Sequence, residues 1–156
     1  MKALPNNQLT RNFHLYEFIE SQLPFDAVAM NWKNIAEFRM ELWERQAMEV
    51  QRMRNMVNQH FKSDLGFDEI GIRVTAGFRC REWELLRKRS GNSQHTICAT
   101  DTQPTNCSRK QALNINLWIY EQYRNWPGGL AIKHGSGELV GFIHLDPREE
   151  KARWVY

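Results

Sequence analysis

Between Asn34 and Phe61 the apolar residues Ile35, Phe38, Leu42, Val50, Met53, Val57 and Phe61 recur at helical spacing, so they line one stripe of a long amphipathic helix. Asn34 and Glu37, in "NIAE", have capping-box spacing, which predicts that this helix starts at Asn34. Its further methionines, Met40, Met48 and Met56, read as irregular core filling, for which a flexible thioether is suited. Upstream, "NFHLYEFIES" predicts a short helix after an extended lead-in. It ends at Leu23, because the residue before Pro24 is pushed out of the helical region.

Beyond a break in "KSDLGFDEIG" the period changes. Ile72, Val74 and Ala76 alternate in "IRVTAGFR", a strand with one buried face. "REWELLRKR" predicts a helix whose basic end suits the negative end of the helix dipole. "GNSQHTICATD" falls in the connection that follows. "SRKQALNINLWIYEQYRNW" is the next helix, with Ser108 and Gln111 in capping-box register. "PGGLAIKH" and "GFIHLDP" then form two strands joined through "GSGE", a hairpin. This order predicts an α+β fold with a small, mostly antiparallel sheet, helices on one face and the other face free to carry a site. No repeat or linker divides the chain, which predicts a single domain over 1–156: a helical N-terminal part, 1–66, and a core that carries the site, 70–156.

Composition narrows the function classes. With 42% hydrophobic and 25% charged residues in 156, the chain has the balance of a globular protein with a sizeable core. Its net charge of +3 comes from 21 basic and 18 acidic residues, scattered apart from "RKRS", so no patterned basic face points to nucleic acid. No apolar run approaches the roughly 20 residues of a membrane span, and "MKALPNNQLT" lacks the apolar middle of a secretory signal. Neither membrane insertion nor export is expected. Three cysteines, Cys80, Cys98 and Cys107, cannot all pair within one chain and read as small buried thiols in a reducing compartment.

The candidate chemistry is that of a metal. A catalytic zinc takes three protein ligands from His, Asp, Glu or Cys and keeps a fourth position open. His95 and Asp101 share one segment, and His144 lies in a strand whose period of two puts Phe142, His144 and Asp146 on one face. Each has an ordinary alternative: a loop histidine, a turn aspartate, a core histidine. Arg79 has one too, pairing with Glu82 or Glu84.

Three blocks carry a resemblance. "TAGFR", "NSQH" with "ATD", and "FIHLD" resemble, in order, the "S-G-Y-R", "S-x-H-x-x-G-x-A-x-D" and "W/F-V-H" blocks of the zinc D-Ala-D-Ala carboxypeptidases and related peptidoglycan peptidases, the family that shares its fold with the Hedgehog signalling domain. The similarity covers residues 70 to 156, and "LTRNFHLYEF" is similar to openings of phage and bacterial members. The resemblance implies a Hedgehog/DD-peptidase-like fold, with His95, Asp101 and His144 as ligands of Zn2+. It implies that Arg79 polarises the scissile carbonyl or the substrate carboxylate, and that Ser93 binds the substrate's terminal carboxylate. The implied activity is hydrolysis of D-amino-acid-containing bonds in peptidoglycan peptides, by a cell-wall carboxypeptidase or an endolysin-like endopeptidase. With no export signal expected, such an enzyme would be made in the cytoplasm and released by lysis or carried in a virion.

Two features depart from the family pattern. His95 and Asp101 are one residue closer than in the family, with Cys98 where the family has glycine; Cys98 is thereby also a possible soft ligand. The acid that the best-known members carry three residues before the last histidine is replaced by Gly141. Asp146 is the first candidate for the general base, Glu138 the second and His134 the third. These departures keep a rival in view: a catalytically degenerate member that serves as a metal-binding or structural module, for instance in a phage particle.

Overall fold

A computed structural model describes residues 8–65 and 69–156, and of 62–65 the backbone alone. The described residues form five α-helices and one five-stranded sheet, an α+β arrangement. The helices are α1 (Leu15–Glu20), α2 (Phe25–Lys33), α3 (Met40–Leu65), α4 (Arg81–Leu86) and α5 (Arg109–Gln122); the strands are β1 (Gly71–Ala76), β2 (Thr100–Thr105), β3 (Gly129–Lys133), β4 (Phe142–Asp146) and β5 (Ala152–Val155). Among the described residues no helix is long and apolar enough to cross a membrane. Most of the extended lead-in and part of the break between α3 and β1 lie outside the described residues.

The long helix starts later than its sequence predicts. Asn34 ends α2, and a 3₁₀ turn over Ile35–Glu37 separates it from α3. The Asn34 side chain is engaged elsewhere, donating to Met30 O one turn back at 3.0 Å and to Glu82 Oε2 at 2.8 Å, while Glu37 accepts from the Arg81 backbone at 3.0 Å. No capping box forms. From there α3 buries Trp43, Ala47, Val50, Met53 and Val57, spaced four, three, three and four residues apart. Each such residue contributes roughly 1.5–3 kcal/mol, alanine less, and this burial holds the helix against the sheet. Met48 is 56% exposed, so it fills no core.

The sheet order is β1-β2-β4-β3-β5. All pairings are antiparallel except β3 with β5. The expected hairpin is β3–β4, and Ser108 caps α5 by accepting from Gln111 N while Gln111 bonds back to Ser108 N. Ile72, Val74, Leu130, Ile132, Ile143 and Leu145 are buried in the core with α1, α3 and α5. In register across the sheet, Asp101 opposes His144, His144 opposes Ala131, and Ala131 opposes Trp154. Because side chains alternate faces, this row belongs to the side away from the core helices.

Candidate metal centre

His95 sits on a 3₁₀ turn, Gln94–Thr96, whose N-cap Ser93 accepts from His95 N at 3.3 Å. The turn is tied to the loop after β1 by Arg79 N, which donates to His95 O at 3.0 Å. That loop is itself fixed by the buried Asn31, which donates to Ile19 O and Phe78 O and accepts from Cys80 N. Gly77 makes the close approach possible, since a Cβ there would stand 2.2 Å from Phe18 O.

The step from His95 to Asp101 is made through a tight turn. Ile97 N and Cys98 N both bond to Gln94 O, at 3.0 and 2.8 Å, before β2 begins at Thr100. A register shift between Val74 and Ala76 adjusts β1 against β2 at the same level, and Thr75 Oγ1 donates to Asp101 O. Asp101 therefore keeps the face of His144, directly opposite it. Cys98 turns inward and is fully buried; burial first, then the Asp146 charge, pushes its thiol pKa up to about 12. Cys98 is not among the residues whose ligand atoms converge.

One ligand atom from each of His95, Asp101 and His144 lies within 4.8 Å of the other two, and this group could hold a metal ion. His95 Nδ1 faces Gly77 O at 2.8 Å, which fixes a proton on that nitrogen and turns Nε2 toward Asp101 Oδ2, 3.5 Å away. His144 Nδ1 faces Asp101 Oδ1 at 2.8 Å, and its Nε2 faces Asp146 Oδ2 at 3.0 Å. Each imidazole thus has one nitrogen held by an oxygen acceptor and the other aimed at the shared carboxylate, as a metal ligand with its outer partner requires.

The charges are closely coupled. Burial alone would raise the Asp101 pKa, but His95 and His144 outweigh it and hold the carboxyl well below the usual carboxylate range. Burial alone would lower His144, but hydrogen bonds to Asp101 and Asp146 raise it instead. Asp146 is fully buried; against that burial, bonds from Arg148 and His144 hold it low. Its Oδ1 accepts from Arg148 Nε at 2.8 Å and Oδ2 from Arg148 Nη2 at 2.6 Å, a bidentate pair. Arg148 and the His144 ring both pack on Trp154, with Cζ 5.1 Å from the Trp154 ring and the two rings 5.1 Å apart.

A cleft of about 490 Å³ opens onto His95 and Asp101 and is also lined by Arg79, Glu84, Arg89, Ser90, Ser93, Phe142 and Tyr156. Both residues singled out for substrate binding, Arg79 and Ser93, line it, and Arg79 Nη2 donates to Ser93 Oγ at 3.3 Å. Arg79 pairs with the buried Glu84 at 3.2 Å, as does Arg89 at 2.9 Å. The first contact is electrostatic: Arg79 Nε–H points off the carboxylate and has no hydrogen-bond acceptor among the described residues. Burial lowers the Arg79 pKa, with Glu84 and Asp101 pulling the other way.

None of the candidate bases, Asp146, Glu138 and His134, is among the residues that line the cleft. Asp146 is occupied behind His144, and Glu138 is exposed in the connection between β3 and β4. Gly141 has a φ of +28°, and a Cβ there would lie 1.8 Å from Lys133 O, so this backbone admits no acidic side chain at that position. Glu84 was named from the sequence as an ordinary partner of Arg79, which it is; Arg148 and Trp154 were not singled out, because their roles depend on pairings that no spacing along the chain reveals. The comparisons with known proteins find no match: no family model, no curated protein and no solved structure matches this chain.

Proposed function

We propose that this protein is a zinc-dependent peptidase that hydrolyses D-amino-acid-containing peptide bonds of peptidoglycan stem peptides. The observation that carries the reading is the convergence of His95, Asp101 and His144, from a turn and two strands, beside a cleft that Arg79 and Ser93 also line. The donor set suits the ion, being two imidazole nitrogens and one carboxylate with both imidazoles oriented from behind. The antiparallel-dominated sheet, with helices packed on one face and the site row on the other, is the kind of arrangement the Hedgehog/DD-peptidase resemblance implies.

When bound, zinc would polarise a carbonyl and lower the pKa of water toward about 7. The chain's own residues do the rest. Arg79, held between Glu84 and Ser93, presents a guanidinium to the carbonyl or carboxylate of the peptide. Asp146 is a positioning residue: it accepts from His144 Nε2 and is itself anchored by Arg148.

A degenerate, non-cleaving module is the second reading, favoured by one specific set of observations. Gly141 excludes an acid at its position, Asp146 is fully engaged, and Glu138 stands outside the cleft. Such a protein would hold the metal and wall peptide without cutting, for instance in a phage particle. Incubating the zinc-loaded protein with defined stem peptides and cross-linked wall fragments, followed by mass spectrometry, separates the two. The peptidase reading expects release of D-alanine or scission of a cross-link, abolished in Arg79→Ala. Bound zinc with intact peptides supports the module.

A further inference from the structure

Gln46 lies on α3, far in sequence from every residue of the metal centre, and its side chain is buried. Its Nε2 donates to Thr100 Oγ1 at 2.8 Å and to Leu145 O at 2.8 Å. Thr100 and Leu145 oppose each other in the β2–β4 register, and the next pair along is Asp101 with His144. One amide therefore clamps the rung beside the two ligands that these strands contribute. Seven residues on, Met53 meets Thr102 Oγ1 at 3.6 Å, so the same face of α3 touches both inward-facing threonines that flank Asp101.

β2 needs such a clamp. It is polar, "TDTQPT"; β1 pairs with it on one edge, through a register shift next to Asp101, and on the other edge it pairs with β4 over only three residues, Thr100, Asp101 and Thr102. Its inward positions at this level are Thr100 and Thr102, so no large apolar side chain locks the strand in place. A slip of one residue would turn Asp101 to the core face and remove the carboxylate from the centre.

We infer that Gln46 is a positioning residue that fixes the register of the two ligand strands, so that metal affinity is set in part by the long helix of the N-terminal half. This rests on the reading of His95, Asp101 and His144 as a metal centre. The fork holds Asp101 opposite His144 from behind the sheet without touching the ion.

The test is titration of the full chain with Co2+, read by its visible absorption and by dissociation constant, for the wild type, Gln46→Leu, Thr100→Val and Val57→Ala. Gln46→Leu keeps the bulk and removes both hydrogen bonds. Thr100→Val removes one arm only and keeps the assay decisive if Gln46→Leu fails to fold. Val57→Ala is a buried change on the same helix that makes none of these bonds. The inference expects affinity to fall about tenfold or more in Gln46→Leu, in the range seen for outer-shell partners, with a smaller fall in Thr100→Val. The cobalt spectrum should change in both, and Val57→Ala should stay within about twofold of wild type. Gln46→Leu and Thr100→Val matching wild type would overturn it, as would Val57→Ala weakening cobalt as much as they do. A wild type that binds no cobalt brings down the metal reading itself; binding that ignores Gln46 and Thr100 brings down this inference alone.

Discussion

Asp146 Oδ2 stands 3.0 Å from His144 Nε2, on the side of the ring opposite the nitrogen that faces Asp101. The adjacent anchor, Arg148, bonds both oxygens of the same carboxylate. The pair sets which nitrogen of His144 carries a proton and leaves Nδ1 for the centre. Asp146→Asn should therefore act on metal hold. Competition titration with a chromophoric chelator should give an affinity about 10- to 100-fold weaker. Unchanged affinity with lost peptide turnover would instead return Asp146 to the general-base role that its place in "FIHLD" suggests.

The same carboxylate depends on a missing side chain across the sheet. A Cβ on Gly129 would lie 2.2 Å from Asp146 Oδ2 and 2.7 Å from Arg148 Nε. Gly129→Ala should cost about 1–3 kcal/mol as the pair is forced aside, read as a lower urea midpoint with unchanged slope. Metal affinity should fall in parallel.

Gly141 permits a direct check on whether an acid can stand three residues before His144. Its left-handed φ and the 1.8 Å approach of a Cβ to Lys133 O predict that Gly141→Glu cannot bring an acid to the centre. The variant should lose about 2 kcal/mol or more of stability and gain no peptidase activity. Thermal denaturation and the stem-peptide assay measure both.

Cys98 titrates in a way that fixes its location. Its folded pKa of about 12 stands above the ordinary 9.0, so its contribution to stability is complete below pH 9 and lost as pH climbs toward 12. Within that window the folding constant should fall up to tenfold per pH unit from this group alone, a loss that Cys98→Ala removes. Iodoacetamide should label Cys98 in the native protein no faster than global unfolding exposes it. Rapid native labelling at pH 8 would place the thiol outside the core.

Much of this was legible along the chain. The period of two in "FIHLD" places His144 and Asp146 on one face, and the Ser108 and Gln111 pair marks the start of α5. Other parts were hidden for physical reasons. α2 follows directly on Leu23-Pro24, with Pro24 as its N-cap residue, and the pattern of the sequence marked no element there. β2 has no apolar alternation, because its inward side chains are threonines met by Gln46 and Met53 rather than a hydrophobic stripe. β5 is four residues long and joins in parallel at the edge, beside β3, which gives it little pattern of its own. Asn34 and Glu37 have the spacing of a cap, yet Asn34 bonds back to Met30 in α2 and across to Glu82, and Glu37 bonds to Arg81 at the start of α4. Asp146 was legible as a neighbour of His144, but its engagement by Arg148 was not.

The measurement closest to the central claim is zinc stoichiometry and affinity by equilibrium dialysis with elemental analysis, on the wild type and on His95→Ala, Asp101→Ala and His144→Ala. The account predicts about one ion per wild-type chain and loss of tight binding in each variant. A wild type that retains no zinc, or variants that retain it undiminished, would contradict it.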